Sequence, residues 1–254
     1  AAFSNGVTIS GGTITVPAGV TSFTVSVPTT ADTIDEANET YTLTVGGVAA
    51  TGTINDDDAA PTVQSVSSPS VNEGNNLVYN VALTNASSSS ITFPFTLGGG
   101  TAAAGDFGSP TFSNGVTLAG GVLTIPAGVT SFTVTVPTVS DTTDELDETV
   151  PLTVGGVTGT GTILDDDAAP TIASVTSNSA TEASNIVHTV TLSNASSVAT
   201  TYTLSLADVT ATGGGTDYTS ALTNASFSNG VTISGGTITV PAGVTSFTVT
   251  VPTT

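Results

Sequence analysis

The chain has 254 residues, of which 38% are hydrophobic and 20 are acidic, and it contains no lysine, arginine or cysteine. Its formal net charge of −20 argues against binding to nucleic acid or to anionic lipid, because Lys and Arg are the side chains that bind phosphate groups. Disulfide and Lys-Asn cross-links are excluded, and no apolar run reaches the roughly 18 residues that a membrane-spanning segment needs.

Internal repeats set the domain organisation. The heptapeptide Phe-Ser-Asn-Gly-Val-Thr-Ile at 3–9 recurs at 227–233, and again at 112–118 with Leu118 in the last position. The copies lie about 110 residues apart, which is the size of a β-sandwich domain rather than of a solenoid repeat. Residues 3–30 and 227–254 differ only at Ser26 and Thr250, which indicates a long tandem array.

This period divides the chain into three units. The first unit, 1–58, is predicted to be the C-terminal half of a repeat, and the central unit, 59–168, is a complete repeat. The third unit, 169–254, is the N-terminal part of a further repeat. Because the chain begins within the pattern, we expect it to be a piece of a longer precursor.

Short segments rich in Thr and Val, separated by Gly and Pro turns, predict β-strands throughout the central unit. No segment has a helical period. About seven strands at this spacing predict an all-β fold of tandem immunoglobulin-like antiparallel β-sandwiches. The predicted strands are 61–66, 76–83, 91–97, 122–125, 131–136, 149–154 and 159–164.

The acidic residues gather between these strands, chiefly in the loop 141–149 and in the triplet 165–167. Two unit charges about 4 Å apart repel by roughly 4 kcal/mol near a protein surface, and the chain has no basic residue to offset this. Hard oxygen ligands without His or Cys favour calcium. If the acids only solvated the surface, they would be scattered along strand faces and mixed with lysine.

The first unit repeats both acidic clusters. The same interval separates Asp32 from Asp56 and Asp141 from Asp165. The segment between the two acidic clusters is predicted to contain two antiparallel strands. We therefore expect the two acidic loops to meet at one end of each sandwich. Acids of the first unit that we predict to bind metal are Asp32, Asp35, Glu36, Glu39, Asp56, Asp57 and Asp58.

Five blocks of the central unit resemble the Calx-beta domain. They are Glu73-Gly74, Gly105-Asp106-Phe107, Asp141 with Asp144-Glu145, Glu148-Thr149, and 161–167, which ends in three aspartates. The resemblance implies a calcium-binding sandwich in which these acids share two or more ions. Its implied ligands in the central unit are Glu73, Asp106, Asp141, Asp144, Glu145, Glu148, Asp165, Asp166 and Asp167. The third unit keeps two further candidate metal ligands, Glu182 and Asp217, but ends before its acidic loop, so we expect that alone it cannot complete a site.

No catalytic constellation is predicted. His188, the only histidine, aligns with Tyr79 of the central unit, and a lone histidine in a strand is most often a packing or surface residue. Paired carboxylates occur in glycoside hydrolases, but acids repeated in every copy and grouped with aspartate triplets are typical of metal ligands. We therefore expect a protein that is not an enzyme.

The expected function is structural. Each aspartate triplet directly precedes the Ala-Ala-Pro sequence that opens the next unit, so calcium would stiffen the joint between units. We expect a segment of a secreted, bacterial cell-surface protein, such as an adhesin stalk or extracellular filament. Neighbouring copies are expected partners, joined head to tail or by strand complementation. Alternatives are a module that binds carbohydrate or protein and a regulatory calcium sensor.

Overall fold

The structure is a computed structural model that describes residues 1–254. It consists of β-strands and one short 3-10 turn at Leu222–Asn224, which confirms the predicted all-β class. Among its helical segments, none has the length and hydrophobicity that crossing a bilayer requires.

The central unit is a complete two-sheet sandwich. Each of the seven predicted strands overlaps an observed strand, and three further short strands, at 70–72, 111–112 and 117–119, are not among the predictions. The strands of this unit are β7 (Val63–Val66), β8 (Ser70–Asn72), β9 (Asn76–Leu83), β10 (Ile91–Leu97), β11 (Thr111–Phe112), β12 (Thr117–Ala119), β13 (Val122–Ile125), β14 (Ser131–Pro137), β15 (Glu148–Val154) and β16 (Val157–Leu164).

One sheet has six strands in the order β12-β13-β10-β15-β16-β8, and the other has four in the order β11-β14-β9-β7. The pairs are antiparallel except β16 with β8, which run parallel. In β9, side chains alternate between solvent and interior, as a strand with one covered face requires. The two inner faces form one cluster of 16 buried hydrophobic residues. This arrangement bears out the predicted β-sandwich.

A tyrosine links the two sheets through this core. Tyr79 of β9 is completely buried, and its hydroxyl donates a hydrogen bond to the carbonyl of Val150 in β15. Beside it, a Cβ atom at Gly161 of β16 would collide with the same hydroxyl. Glycine at this position therefore makes room for the tyrosine.

The third unit, as far as residues 169–254 describe it, forms two packed sheets. Its strands form sheets of four and three, in the orders β17-β18-β23-β20 and β19-β22-β21, around a cluster of eight buried hydrophobic residues. They are β17 (Ile172–Val175), β18 (Asn185–Leu192), β19 (Thr200–Thr203), β20 (Ser226–Phe227), β21 (Thr232–Ser234), β22 (Thr237–Val240) and β23 (Ser246–Pro252).

The first unit consists of three separate two-stranded sheets, β1-β4, β2-β3 and β5-β6. Val7 is its one buried residue. Its strands are β1 (Ala2–Phe3), β2 (Thr8–Ser10), β3 (Thr13–Thr15), β4 (Val25–Ser26), β5 (Glu39–Val45) and β6 (Val48–Ile54). The predicted boundaries of the three units stay a prediction, although each hydrophobic cluster lies within one unit.

Candidate metal centre

The first group of carboxylates, called here the first triad, consists of Glu73, Asp165 and Asp167. One oxygen of each lies within 4.8 Å of the others. Glu73 follows β8 and Asp165 follows β16, and these two strands run parallel with Asn72 opposite Leu164. Parallel strands end at the same edge of a sheet, so the two acids emerge side by side. The backbone N–H of Glu73 donates to the carbonyl of Leu164 at 3.0 Å and holds this register.

The second triad consists of Asp106, Glu145 and Glu148, whose carboxylate oxygens also lie within 4.8 Å of one another. Glu148 is the first residue of β15 rather than part of the preceding loop. Asp106 comes from the connection between β10 and β11, where its carbonyl accepts a hydrogen bond from the Val139 N–H at 2.8 Å. The second triad therefore draws on two separate parts of the chain, and the two triads together draw on four.

The two triads share one cavity of about 240 Å³, lined by Glu73, Asp165 and all three acids of the second triad. Asp141 also lines it, and its backbone N–H donates to Glu73 Oε2 at 3.2 Å. Gly74 makes this approach possible, because its φ of +74° turns the chain sharply after Glu73. Two acidic loops that are distant in sequence thus face each other across a single polar cavity.

Repulsion and partial burial raise the proton affinity of the site. Burial first, and then a hydrogen bond and repulsion from Asp106, raise the pKa of Glu148 from 4.5 to about 7. Burial, followed by neighbouring carboxylates, also raises the pKa of Glu145 and of Asp167. For Glu73, burial and the charge of Asp167 outweigh the hydrogen bond from Asp141 and raise the pKa.

The donor set fits a hard divalent cation. Every charged group in the cavity is a carboxylate, and the chain supplies no lysine or arginine as a counter-charge. Asp165 Oδ1 and Asp167 Oδ2 are buried and have no hydrogen-bond partner. Buried polar atoms in proteins are normally paired, so these two oxygens are free to coordinate a cation that prefers oxygen.

Three of the predicted ligands in the central unit lie outside the triads, and two of these, Asp144 and Asp166, do not line the cavity either. Asp144 accepts a hydrogen bond from Ser196 Oγ of the third unit at 2.6 Å, and Asp166 accepts one from Asn72 Nδ2 at 3.1 Å. Asp147, which sequence reasoning did not select, accepts the backbone N–H of Asp165 at 3.3 Å and ties the two acidic loops together. In the sequence, the one feature that pointed to Asp147 was its position within the acidic loop 141–149.

The first unit brings most of its acids to a smaller cavity of about 50 Å³. There the backbone N–H of Glu36 donates to Asp56 Oδ2 at 3.1 Å. Burial and then neighbouring acids raise the pKa of Glu36 and of Asp58. Asp35 does not line the cavity. The acids that do are Asp32, Glu36, Glu39, Asp56, Asp57 and Asp58.

The third unit assembles no such group. Glu182 and Asp217 are exposed, and neither belongs to a triad of carboxylates. Asp217 Oδ2 accepts the backbone N–H of Thr212 at 2.7 Å within its own loop.

The acidic loop also forms the joint to the following unit. The N–H of Asp144 donates to the carbonyl of Ala195 at 3.1 Å, and the Ser197 N–H donates to the carbonyl of Asp144 at 2.8 Å. Together these bonds form a short parallel β-bridge between Asp144 and Ser196, which is buried. Asp144 lies three residues beyond Asp141, so one loop serves both the cavity and the joint.

The same joint occurs between the first and central units. The Asp35 N–H donates to Ala86 at 3.0 Å, and the Ser88 N–H donates to the carbonyl of Asp35 at 2.9 Å. Ser87, the counterpart of Ser196, is likewise buried. Two joints built from equivalent residues indicate one repeated mode of packing between successive units.

The chain matches the model of a known protein family. Residues 9–58 and 165–245, just over half of the chain, match the model of the Calx-beta domain. The matched segments lie on either side of most of the central unit. No curated protein matches the chain.

Solved structures show weaker likenesses. The calcium binding domain CBD12 of CALX1.1 is 17% identical, with 77% of this chain and 76% of that chain covered, at a TM-score of 0.33. CBD12 from CALX1.2 is also 17% identical, with 77% and 75% covered and the same TM-score of 0.33. The sixth cohesin of scaffoldin B from Acetivibrio cellulolyticus is 14% identical, with 42% and 100% covered and a TM-score of 0.21.

Proposed function

Because the chain belongs to the Calx-beta family, we propose that its acidic loops bind calcium and stiffen a structural repeat segment of a secreted bacterial surface protein, in an adhesin stalk or an extracellular filament. The observation that carries this proposal is the pair of carboxylate triads, each within 4.8 Å, in a chain without a basic side chain. The proposed role is structural and not catalytic.

The first and second triads would each hold one ion, with Asp141 between them. Calcium takes about six to eight oxygen ligands, so each triad supplies part of a shell that backbone carbonyls and water complete. Asp165 Oδ1 and Asp167 Oδ2 have free lone pairs for this purpose. The bound ion supplies the positive charge that the chain lacks.

The proposed mechanical effect follows from the loop that contains Asp141 and Asp144. One end of this loop lines the cavity, and the other end makes the β-bridge to the third unit. A bound cation would neutralise the carboxylates that line the cavity and would thereby order the loop. The ordered loop would then hold the joint to the third unit. Without the cation, repulsion among the carboxylates would loosen both.

The proposed location outside the cell rests on the absence of Lys and Arg, which leaves trypsin-like proteases no cleavage site. An extracellular module is expected to bind calcium with a dissociation constant of about 10⁻⁴ to 10⁻³ M. A regulatory sensor would bind calcium with a dissociation constant of about 10⁻⁷ to 10⁻⁵ M. Calcium titration therefore also separates the structural role from a sensing role.

Isothermal titration calorimetry and thermal unfolding, each in calcium and in EGTA, test the proposal. The double change Asp165→Asn with Asp167→Asn should weaken calcium binding strongly. The control Asp166→Asn removes one negative charge from the same triplet but outside both triads, and this variant should bind calcium nearly as well as the native chain. Small-angle X-ray scattering should show a shorter maximum dimension in EGTA. Unchanged melting and dimensions in EGTA, with no heat of binding, would refute the proposal.

A further inference from the structure

Two threonines beside the cavity join the two parts of the chain that carry the second triad. Thr149 directly follows Glu148 in β15, and Thr101 lies in the connection between β10 and β11, five residues before Asp106. Neither threonine lines the cavity. The two side chains can therefore affect a bound ion through the neighbouring acids rather than as ligands.

The two threonines bind each other reciprocally. The backbone N–H of Thr101 donates to Thr149 Oγ1 at 3.0 Å, and the backbone N–H of Thr149 donates to Thr101 Oγ1 at 2.8 Å. The two hydroxyl oxygens lie 3.2 Å apart, so that one donates to the other. The Ala102 N–H adds a bond to the carbonyl of Thr149 at 3.2 Å. We call these contacts of Thr101 and Ala102 with Thr149 the threonine clamp.

The threonine clamp begins where regular pairing between β10 and β15 stops. The ladder of the two strands ends with Leu97 opposite Leu152. Gly98 and Gly99 then have φ of +95° and +86°, values that favour glycine, and they turn the chain out of the strand. Beyond this turn, every backbone hydrogen bond from the connection to β15 goes to Thr149. Threonine hydroxyl groups thus replace a strand ladder at this point.

Gly100 allows the connection to approach β15 this closely. A Cβ atom at Gly100 would collide with the carbonyl and hydroxyl oxygens of Thr149 and with the ring of Pro151. Because glycine has no side chain, the backbone of the connection lies directly against β15 beside Glu148. The sequence Gly-Gly-Gly-Thr at 98–101 therefore supplies the turn, the close approach and one half of the clamp.

The threonine clamp fixes the position of Asp106 through a short turn. Ala103, which follows the clamp, donates its N–H to Asp106 Oδ2, and the Asp106 N–H donates to the carbonyl of Ala103 at 3.2 Å. On its other side Asp106 is bound to Val139, which precedes Asp141 and is not part of β15. The clamp is therefore the part of the connection that sets the distance between Asp106 and Glu148.

The first triad is held in a different way. Glu73 and Asp165 follow β8 and β16, and backbone hydrogen bonds pair these two strands in parallel. The connection that contains the clamp contributes no residue to this triad. Loss of a hydroxyl group from the clamp should consequently affect the second triad and spare the first.

We propose that the threonine clamp positions Asp106 against Glu148 and thereby sets the calcium affinity of the second triad independently of the first. Both triads bind calcium in the proposed function, on which this positioning role rests. The hydroxyl groups of Thr101 and Thr149 hold the ligands in place without touching the ion. Loss of such supporting hydrogen bonds weakens metal binding by about 10- to 100-fold. A chain without the clamp should therefore keep one tight site in the central unit and lose the other.

Thr149→Val tests this role, because it removes one hydroxyl group of the clamp and keeps the shape of the side chain. Calcium titration of the whole chain, followed by NMR through the amide signals of Glu148 and Asp167, reads the second and the first triad separately. The dissociation constant reported by Glu148 should rise by about 10- to 100-fold. The constant reported by Asp167 should stay unchanged, which also shows that the variant is folded. Thr149→Ser keeps the hydroxyl group and should restore the native value at Glu148.

Thr153→Val is the matched control. Thr153 lies on the same strand and the same face as Thr149, and its hydroxyl oxygen lies 2.7 Å from that of Thr158. Neither Thr153 nor Thr158 lines the cavity. The control also loses one of two paired hydroxyl groups, and it should bind calcium like the native chain at both triads. Equal losses of affinity in Thr149→Val and Thr153→Val would overturn the positioning role.

Hydrogen exchange in EGTA tests the clamp without any cation. The Thr101 amide donates to the Thr149 hydroxyl, so Thr149→Val should speed its exchange, whereas Thr153→Val should not. Unchanged exchange at Thr101 would refute the clamp. Native calcium affinity of Thr149→Val at Glu148 would refute the positioning role and leave the proposed calcium binding in place. A native chain that binds no calcium at either triad would refute both.

Discussion

Replacing Glu148 by glutamine should have opposite effects on the protein with and without calcium. Glu148 lies in the second triad, and burial together with Asp106 raises its pKa from 4.5 to about 7. The folded, metal-free protein therefore binds this proton more tightly than the unfolded chain does. The stability that this proton contributes is fully present below the unfolded pKa of 4.5. It is lost as the pH rises through the folded pKa of about 7.

The shift of the Glu148 pKa sets the size of the effect. The raised pKa lowers the unfolding free energy of the metal-free protein by about 3 kcal/mol above pH 7. Glu148 is partly exposed, and water screens its charge, so we expect a loss of about 2 kcal/mol. Glu148→Gln removes the negative charge and keeps the shape. At pH 8 in EGTA the melting temperature of the variant should rise by about 8 °C, and at pH 4.5 it should barely change.

In calcium the same variant should be the weaker protein. Glutamine offers one neutral oxygen in place of a carboxylate, so calcium affinity should fall by at least about tenfold. Differential scanning calorimetry at pH 4.5 and pH 8, in calcium and in EGTA, measures all four values. Asp166→Asn, outside both triads, should show neither effect. A variant that is less stable than the native chain in EGTA at pH 8 would contradict the account of charge repulsion.

Five further substitutions have expected outcomes in the core and at the joint. Tyr79→Phe should destabilise the central unit by about 1 to 2 kcal/mol in urea unfolding, because a buried hydrogen bond is lost. Gly161→Ala should cost more alone than it does in the Tyr79→Phe background, where the colliding hydroxyl is gone. Leu152→Ala should cost about 2 to 5 kcal/mol in the same assay, whereas Leu43→Ala, at the equivalent but uncovered position, should cost less than about 1 kcal/mol in the isolated chain. Ser196→Ala should leave calcium affinity unchanged and broaden the distance distribution between the central and third units, measured by spin labels on each.

The sequence was sufficient to predict most of the fold of the central unit. The predicted strands were found because Val, Thr and Leu alternate with polar residues and because Gly and Pro mark the turns. The short strands β8, β11 and β12 could not be recognised, since two or three residues are too few to show a period. β8 is held in place by its parallel pairing with β16, a contact between residues far apart in the chain.

The candidate site was predictable in composition but not in arrangement. Clusters of acids near Asp141 and Asp165 were visible in the sequence, and so was their need for a cation. Sequence spacing gave no way to separate Asp167, which enters a triad, from Asp166 beside it, which bonds to Asn72. Successive residues point in different directions, and only the packed strand ends decide which of them faces the cavity.

The sequence alone determined two properties of this chain. Short Thr- and Val-rich segments between Gly and Pro turns made it all-β. Its clustered acids need a cation from outside, because a chain without basic residues cannot neutralise them. The tertiary structure decided how those acids are divided. It placed three carboxylates in each triad and assigned Asp144 and Asp35 to the joints between units. That division depends on which strand ends meet, and such contacts arise only when residues distant in sequence pack together.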